Sequence, residues 1–201
     1  MKTTVGMLIA GLLIGAAAQA APVDFKDHIP ADVTDMKQLR LDQEGDMLIA
    51  LYEGKAGRAT LSIMAAPTLA AGETGYDPAA VSGQTVPAQR VLLAALQENL
   101  ERGTKALGDS YDTSVPRFEP VEMKDEGGAT MQLACASVLR QQPGGAADAL
   151  HLLDRLCSVS KGETVALVRM TAPFERPVLE AQSNAQLAFA GELFQRLFAE
   201  E

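Results

Sequence analysis

The sequence predicts an α+β fold: a mainly antiparallel sheet covered by two helices and stapled by one inter-strand disulfide. Three observations carry this. Six apolar runs of strand length are separated by turns bearing glycine or proline. Two longer segments repeat their apolar residues at helical spacing. The two cysteines, Cys135 and Cys157, lie in neighbouring strand-like runs. The expected order is two strands, helix, four strands, helix, within a single domain over 47–201.

Residues 1–20 read as a cleaved signal peptide and are set apart from the fold. Lys2 gives a positive start, 5–18 is uncharged and largely apolar, and Ala18-Gln19-Ala20 is an A-x-A cleavage signature. The apolar run is short against the roughly 20 residues needed to cross a bilayer. The residue after the site, Ala21, is not a cysteine, so no lipid attachment is expected there. Export to a periplasmic or secreted location follows, and in an oxidising compartment two cysteines form one disulfide.

Residues 21–46 are polar, carry Pro22 and Pro30, and read as an N-terminal arm with one short strand at 38–42. Asp24, Asp27, His28 and Asp32 crowd this arm, which raises a metal reading, since hard cations take carboxylate oxygens. The arm lacks the central glycine and closing glutamate of a calcium loop, so a solvated terminus is favoured. No cofactor is expected.

The runs 47–52 and 58–65 flank Glu53-Gly54-Lys55-Ala56-Gly57, a hairpin pattern. Lys55 and Arg58 beside glycines suggest a phosphate cradle, but the spacing is not G-x-x-x-x-G-K-[ST] and no helix follows. Residues 66–86 form the longest stretch without periodicity. It is a candidate contact loop, with Gly72, Tyr76 and Gly83 as its marked positions, because binding residues gather on loops over rigid scaffolds.

Residues 87–107 read as a helix, with Pro87 in its first turn and a stripe at Leu93, Leu96, Leu100 and Leu107. Gly103 weakens the last turn. Residues 117–124 read as a strand that Pro120 confines to an edge or a bulge. The runs 130–140, 150–160 and 164–171 complete the sheet. Ser183 and Gln186 match a capping box opening the last helix, which buries Leu187, Ala190, Phe194 and Leu197 and, more broadly, Phe189, Leu193 and Phe198.

If Cys135 and Cys157 face each other on adjacent antiparallel strands, Leu133 lies opposite Val159 and Leu139 opposite Leu153. Ser137 then faces Arg155, a polar interruption of that side. A one-residue slip would send every side chain to the other face.

Composition excludes some functions. The formal charge is −9 and no cluster of Lys and Arg occurs, so nucleic acid is not an expected partner. The cysteines are not in C-x-x-C spacing, and neither G-x-S-x-G nor H-E-x-x-H is present. The only histidines are His28 and His151. The chain has no Trp and three Tyr, a poor stock for a sugar cleft.

The order of strands and helices over 47–198 resembles the PsbP-like plan, that of an extrinsic photosystem subunit and its small bacterial envelope relatives. Many of those relatives carry a lipid-attachment cysteine that this chain lacks. The resemblance implies a non-catalytic accessory role. The expected function is thus that of an exported, non-enzymatic binding protein of the cell envelope, contacting an envelope protein or a small apolar ligand. The alternative is a small hydrolase or metal-dependent enzyme whose site assembles only in the fold, for instance a cleft collecting His151 with two carboxylates.

The exported protein should begin at Ala21. Intact-mass measurement checks this, and retention of residues 1–20 in the exported fraction would disprove cleavage.

Overall fold

A computed structural model describes residues 23–67, 86–107, 111–124, 130–142 and 151–199. After a 3-10 turn at Val23–His28, four strands follow in succession: β1 (Asp32–Val33), β2 (Met36–Glu44), β3 (Met47–Gly54) and β4 (Gly57–Ala65). Helix α1 (Val86–Leu107) separates them from β5 (Asp112–Thr113), β6 (Arg117–Lys124), β7 (Thr130–Gln141), β8 (His151–Lys161) and β9 (Thr164–Phe174). Helix α2 (Leu179–Leu197) closes the chain.

The nine strands of the described residues join one antiparallel sheet in the order β1-β2-β3-β4-β9-β8-β7, with β5 and β6 both paired to β7. The β4–β9 pairing joins an N-terminal meander to a C-terminal one, setting Leu61 beside Val168 and Ile63 beside Ala166. The sheet is larger than the sequence order of two and four strands. Residues 36–44 are a full strand paired along β3, where the sequence pattern predicts an arm with a short strand at 38–42. Their polar residues suit an outer strand, and the register shift between Gln38 and Arg40 bends it, as bulges do at sheet edges. Strand β6, holding Pro120, pairs among the described residues with β7 alone and lies at an edge, a position that suits proline.

The two helices cover opposite faces. On one, α2 buries Phe189, Leu193, Phe194 and Leu197 against Leu61, Cys135, Cys157 and Val168. On the other, α1 buries Val91, Leu92, Ala95 and Leu96 against Ala134, Ala136, Leu156 and Leu167. The α1 stripe is thus turned from the expected leucine line: Leu93 and Leu100 are only half-buried, and alanines supply much of the contact. Small side chains on β7 let the helix approach closely, and Ser158 Oγ donates a 2.8 Å hydrogen bond to the Ala88 carbonyl.

The expected capping box does not form. Helix α2 starts earlier, at Leu179 behind a 3-10 turn at Arg176–Val178, and Val178 supplies no side-chain cap. Ser183 and Gln186 make tertiary contacts instead: the Ser183 hydroxyl accepts from Arg155, and buried Gln186 donates to the carbonyls of Ala56 and Leu153. Contacts with the sheet outcompeted a local bond.

Cys135 and Cys157 are bridged, with S–S 2.05 Å, and both are fully buried. They are direct partners on β7 and β8, with Ser137 opposite Arg155 and Leu139 opposite Leu153, the register expected from the sequence. The 22-residue separation makes the cross-link worth about 3 kcal/mol in chain entropy. Cys135→Ser and Cys157→Ser should each lower the melting temperature by on the order of 10 °C, the double variant should be no worse than either, and reductant should act alike. Thermal unfolding with and without reductant checks this. Two titratable thiols in the native oxidised protein would refute it.

Candidate functional site

The site begins with an imbalance between the two faces of β3 and β4. On the α2 side, Leu48, Ala50, Tyr52, Ala59, Leu61 and Ile63 are all buried. Of their neighbours on the other side, Met47, Leu51, Thr60, Ser62 and Met64 keep partial exposure, while Ile49 is buried. Helix α1 lies over β7, β8 and β9 and stops short of them. The space beside the helix is a groove of about 450 Å³, within the size range of small-molecule pockets. Met47, Ile49, Leu51, Met64 and Leu167 supply its apolar lining, interrupted by the hydroxyls of Thr60 and Ser62.

The groove has a charged end, built by strand register on the α1 face. Arg58 of β4 lies beside Thr171 of β9, and Thr171 in turn lies beside Asp154 of β8. In the next row on that face, Arg169 of β9 lies beside Thr60 of β4.

Arg140 and Asp154 form a buried ion pair, Nε to Oδ2 2.8 Å, with side chains 2% and 7% exposed. The rest of the guanidinium is used as well. It donates to the Asn99 carbonyl (2.9 Å), to Asn99 Oδ1 (2.8 Å) and to Thr113 Oγ1 (3.2 Å). Thr171 Oγ1 donates to the other carboxylate oxygen of Asp154 at 2.7 Å. One pair thus ties α1, β5, β7, β8 and β9 together. Nearer the solvent, Glu98 is shared by two arginines: Arg169 at 2.7 Å and Arg102. Arg58 pairs at 3.0 Å with Glu53, and both side chains are largely in water.

The opposite face holds a second buried arginine. Arg155 donates to Glu119 (3.0 Å), the Ser183 carbonyl (2.6 Å) and Ser183 Oγ (2.9 Å). Burial lowers its pKa from the ordinary arginine value, Glu119 opposes that shift and Arg117 adds to it.

The residues singled out from sequence are dispersed. Cys135 and Cys157 lie in the α2-side core, away from the groove. His151 is buried on that same side, its ring centroid 5.5 Å from that of Phe174, so it does not join Asp154 or Glu98. His28 is half-buried in the first 3-10 turn while Asp27 and Asp32 are exposed, and among the described residues no three His, Cys, Asp or Glu gather in a metal-binding group. Lys55 pairs with Asp35 at the tip of a plain hairpin. Gly72, Tyr76 and Gly83 lie outside the described residues, as do residues 1–20. Among the described residues no helix is long and apolar enough to cross a membrane.

Sequence reasoning missed Arg140, Asp154, Glu98 and Arg169. For Arg140, Asp154 and Arg169 the available signal was charge at strand positions that alternation assigns to a covered face; Glu98, on α1, offered none. No protein-family model matches the chain, and no curated protein matches it.

Gly103 makes room for the buried pair. A Cβ there would overlap the guanidinium carbon and nitrogens of Arg140. Helix propensity alone favours alanine by about 1 kcal/mol. The guanidinium is held by its bonds to Asp154, Asn99 and Thr113, so Gly103→Ala should instead destabilise the protein by about 1–3 kcal/mol. Urea denaturation checks the sign, and a stabilised variant would show that Arg140 leaves its partners freely.

Proposed function

We propose that the chain is an exported, non-catalytic binding protein of the cell envelope, of PsbP-like plan, and that the groove beside α1 takes a small apolar ligand. The observation that carries this is the partly exposed apolar lining that Met47, Leu51 and Met64 of β3 and β4 give the groove, opposite a buried face. Ligand sites combine such a lining with a few convergent polar groups. Methionines at 47 and 64 add an adaptable surface, since the unbranched thioether fits many shapes.

The arrangement of charges supports binding over hydrolysis. A general base needs a free carboxylate or imidazole within reach of the reacting group. Here Asp154 is held by Arg140 and Thr171, Glu98 by Arg169 and Arg102, and His151 lies across the sheet.

A neutral naphthylamine probe, N-phenyl-1-naphthylamine, tests the groove by its rise in fluorescence in an apolar site. The wild-type protein should enhance its emission. Thr60→Trp, which fills the groove from a partly exposed floor position, should abolish most of the enhancement and leave the melting temperature within a few degrees. No enhancement with the wild type, or full enhancement with Thr60→Trp, would reject the groove as the site.

A further inference from the structure

We infer that the ligand is an uncharged molecule with a carbonyl oxygen inside its apolar body, as in a ketone, ester or amide. Asn99, Thr60 and Ser62 receive that oxygen; this deepens the proposed function and rests on the groove being a ligand site. Each charged side chain lining the groove already has an opposite charge: Arg140 has Asp154, Arg169 and Arg102 have Glu98, and Arg58 has Glu53. A charged ligand would have to leave water and then compete with those partners. Three neutral groups of the lining are different. The hydroxyls of Thr60 and Ser62 and the amide nitrogen of Asn99 have no hydrogen-bond partner among the described residues. Arg140 orients the Asn99 amide: a guanidinium only donates, so the amide oxygen faces it and the nitrogen is left for another partner. That nitrogen only donates, and both hydroxyls can donate, which suits a carbonyl oxygen with its two lone pairs.

The order of side chains along the groove sets this polar stretch between two apolar ones. Along α1 the lining runs from Val91 and Ala95 through Glu98, Asn99 and Arg102 to Ala106 and Leu107. The floor follows the same order. Met64 lies near the end of β4, with Ser62 and Thr60 before it. Leu152 of β8 lies past the row that holds Arg58, Thr171 and Asp154. Floor and wall meet in the middle, because Arg169 lies beside Thr60 in the β4–β9 ladder and is bonded to Glu98, the neighbour of Asn99. Thr60 and Ser62 share one face of β4, two residues or roughly 7 Å apart. Ser62 sits between the buried Ile49 and Leu167. A neutral oxygen held there has apolar lining on either side of it.

Displacement of the naphthylamine probe by two isomeric eleven-carbon ketones tests where the oxygen sits, because only the carbonyl position differs between them. Dipentyl ketone, with its carbonyl at the centre, should displace the probe at a concentration about three- to tenfold below that of methyl nonyl ketone, the range for hydrogen bonds that one isomer makes and the other does not. Undecanoate and undecylammonium should both be weaker than dipentyl ketone. Thr60→Val/Ser62→Ala removes the hydroxyls at nearly constant shape, and Asn99→Asp removes the amide nitrogen while keeping an acceptor for Arg140. Each variant should bring the two ketones toward equal potency, and the wild-type comparison stands even where a variant fails to fold. Equal displacement by the two ketones in the wild type, a ratio unchanged in both variants, or stronger displacement by either charged ligand overturns the internal carbonyl and leaves the groove standing. Failure of the neutral probe itself would instead reject the groove.

Discussion

Strand alternation on β7 and β8, fixed by the Cys135–Cys157 pair, governs both layers of the molecule. With the cysteines directly opposed, odd-numbered residues of β8 face α2 and even-numbered ones face α1. Both faces of these strands are covered, so neither set can be moved to solvent. A slip by one residue would put Asp154 under α2 and Arg155 under α1, parting each from its partners. The buried disulfide holds the register of β7 on β8, and β9 and then β4 extend the sheet from there.

Among the described residues each face carries one buried arginine, Arg140 or Arg155, and each does a similar task. Arg140 fixes the C-terminal half of α1 through Asn99, and Arg155 fixes the N-terminal half of α2 through Ser183. Isolating the Arg140 charge by removing Asp154 would cost about 3–5 kcal/mol. Such a pair adds little net stability over a hydrophobic substitute, but its geometry is directional where an alanine-rich contact is not. The alanines of α1 and β7 would allow the helix to slide; the guanidinium does not. Gly103 is part of the same arrangement, its missing Cβ leaving the space that Arg140 occupies.

The position of α1 in turn makes the groove. Held over β7–β9 by Arg140 and the Ser158 hydroxyl, the helix leaves the same face of β3 and β4 beside it rather than beneath it. The charged network that anchors the helix also forms one wall of the groove, and its arginines differ by depth. Arg140 is sealed, Arg169 is partly exposed, and Arg102 and Arg58 reach solvent.

The sequence by itself determined the α+β class, the two helices, an edge or bulged place for the Pro120 strand and, once the cysteines are set opposite each other, the β7–β8 register. These follow from local rules: periodicity assigns each residue to a face, proline cannot donate in a central ladder, and two cysteines with one partner each leave a single pairing. It did not determine that residues 36–44 form a full strand, because an outer strand needs no apolar alternation. The capping box at Ser183 misled for the converse reason, since a local bond yielded to Arg155. Only the tertiary structure decided which elements cover each face. Arg140 meets Asn99 across 41 residues and Arg169 meets Glu98 across 71, so the partners of these charges are not legible until the helix is placed. Periodicity reports that a face is covered; it carries no information about what lies on it, and the groove exists only where that cover stops.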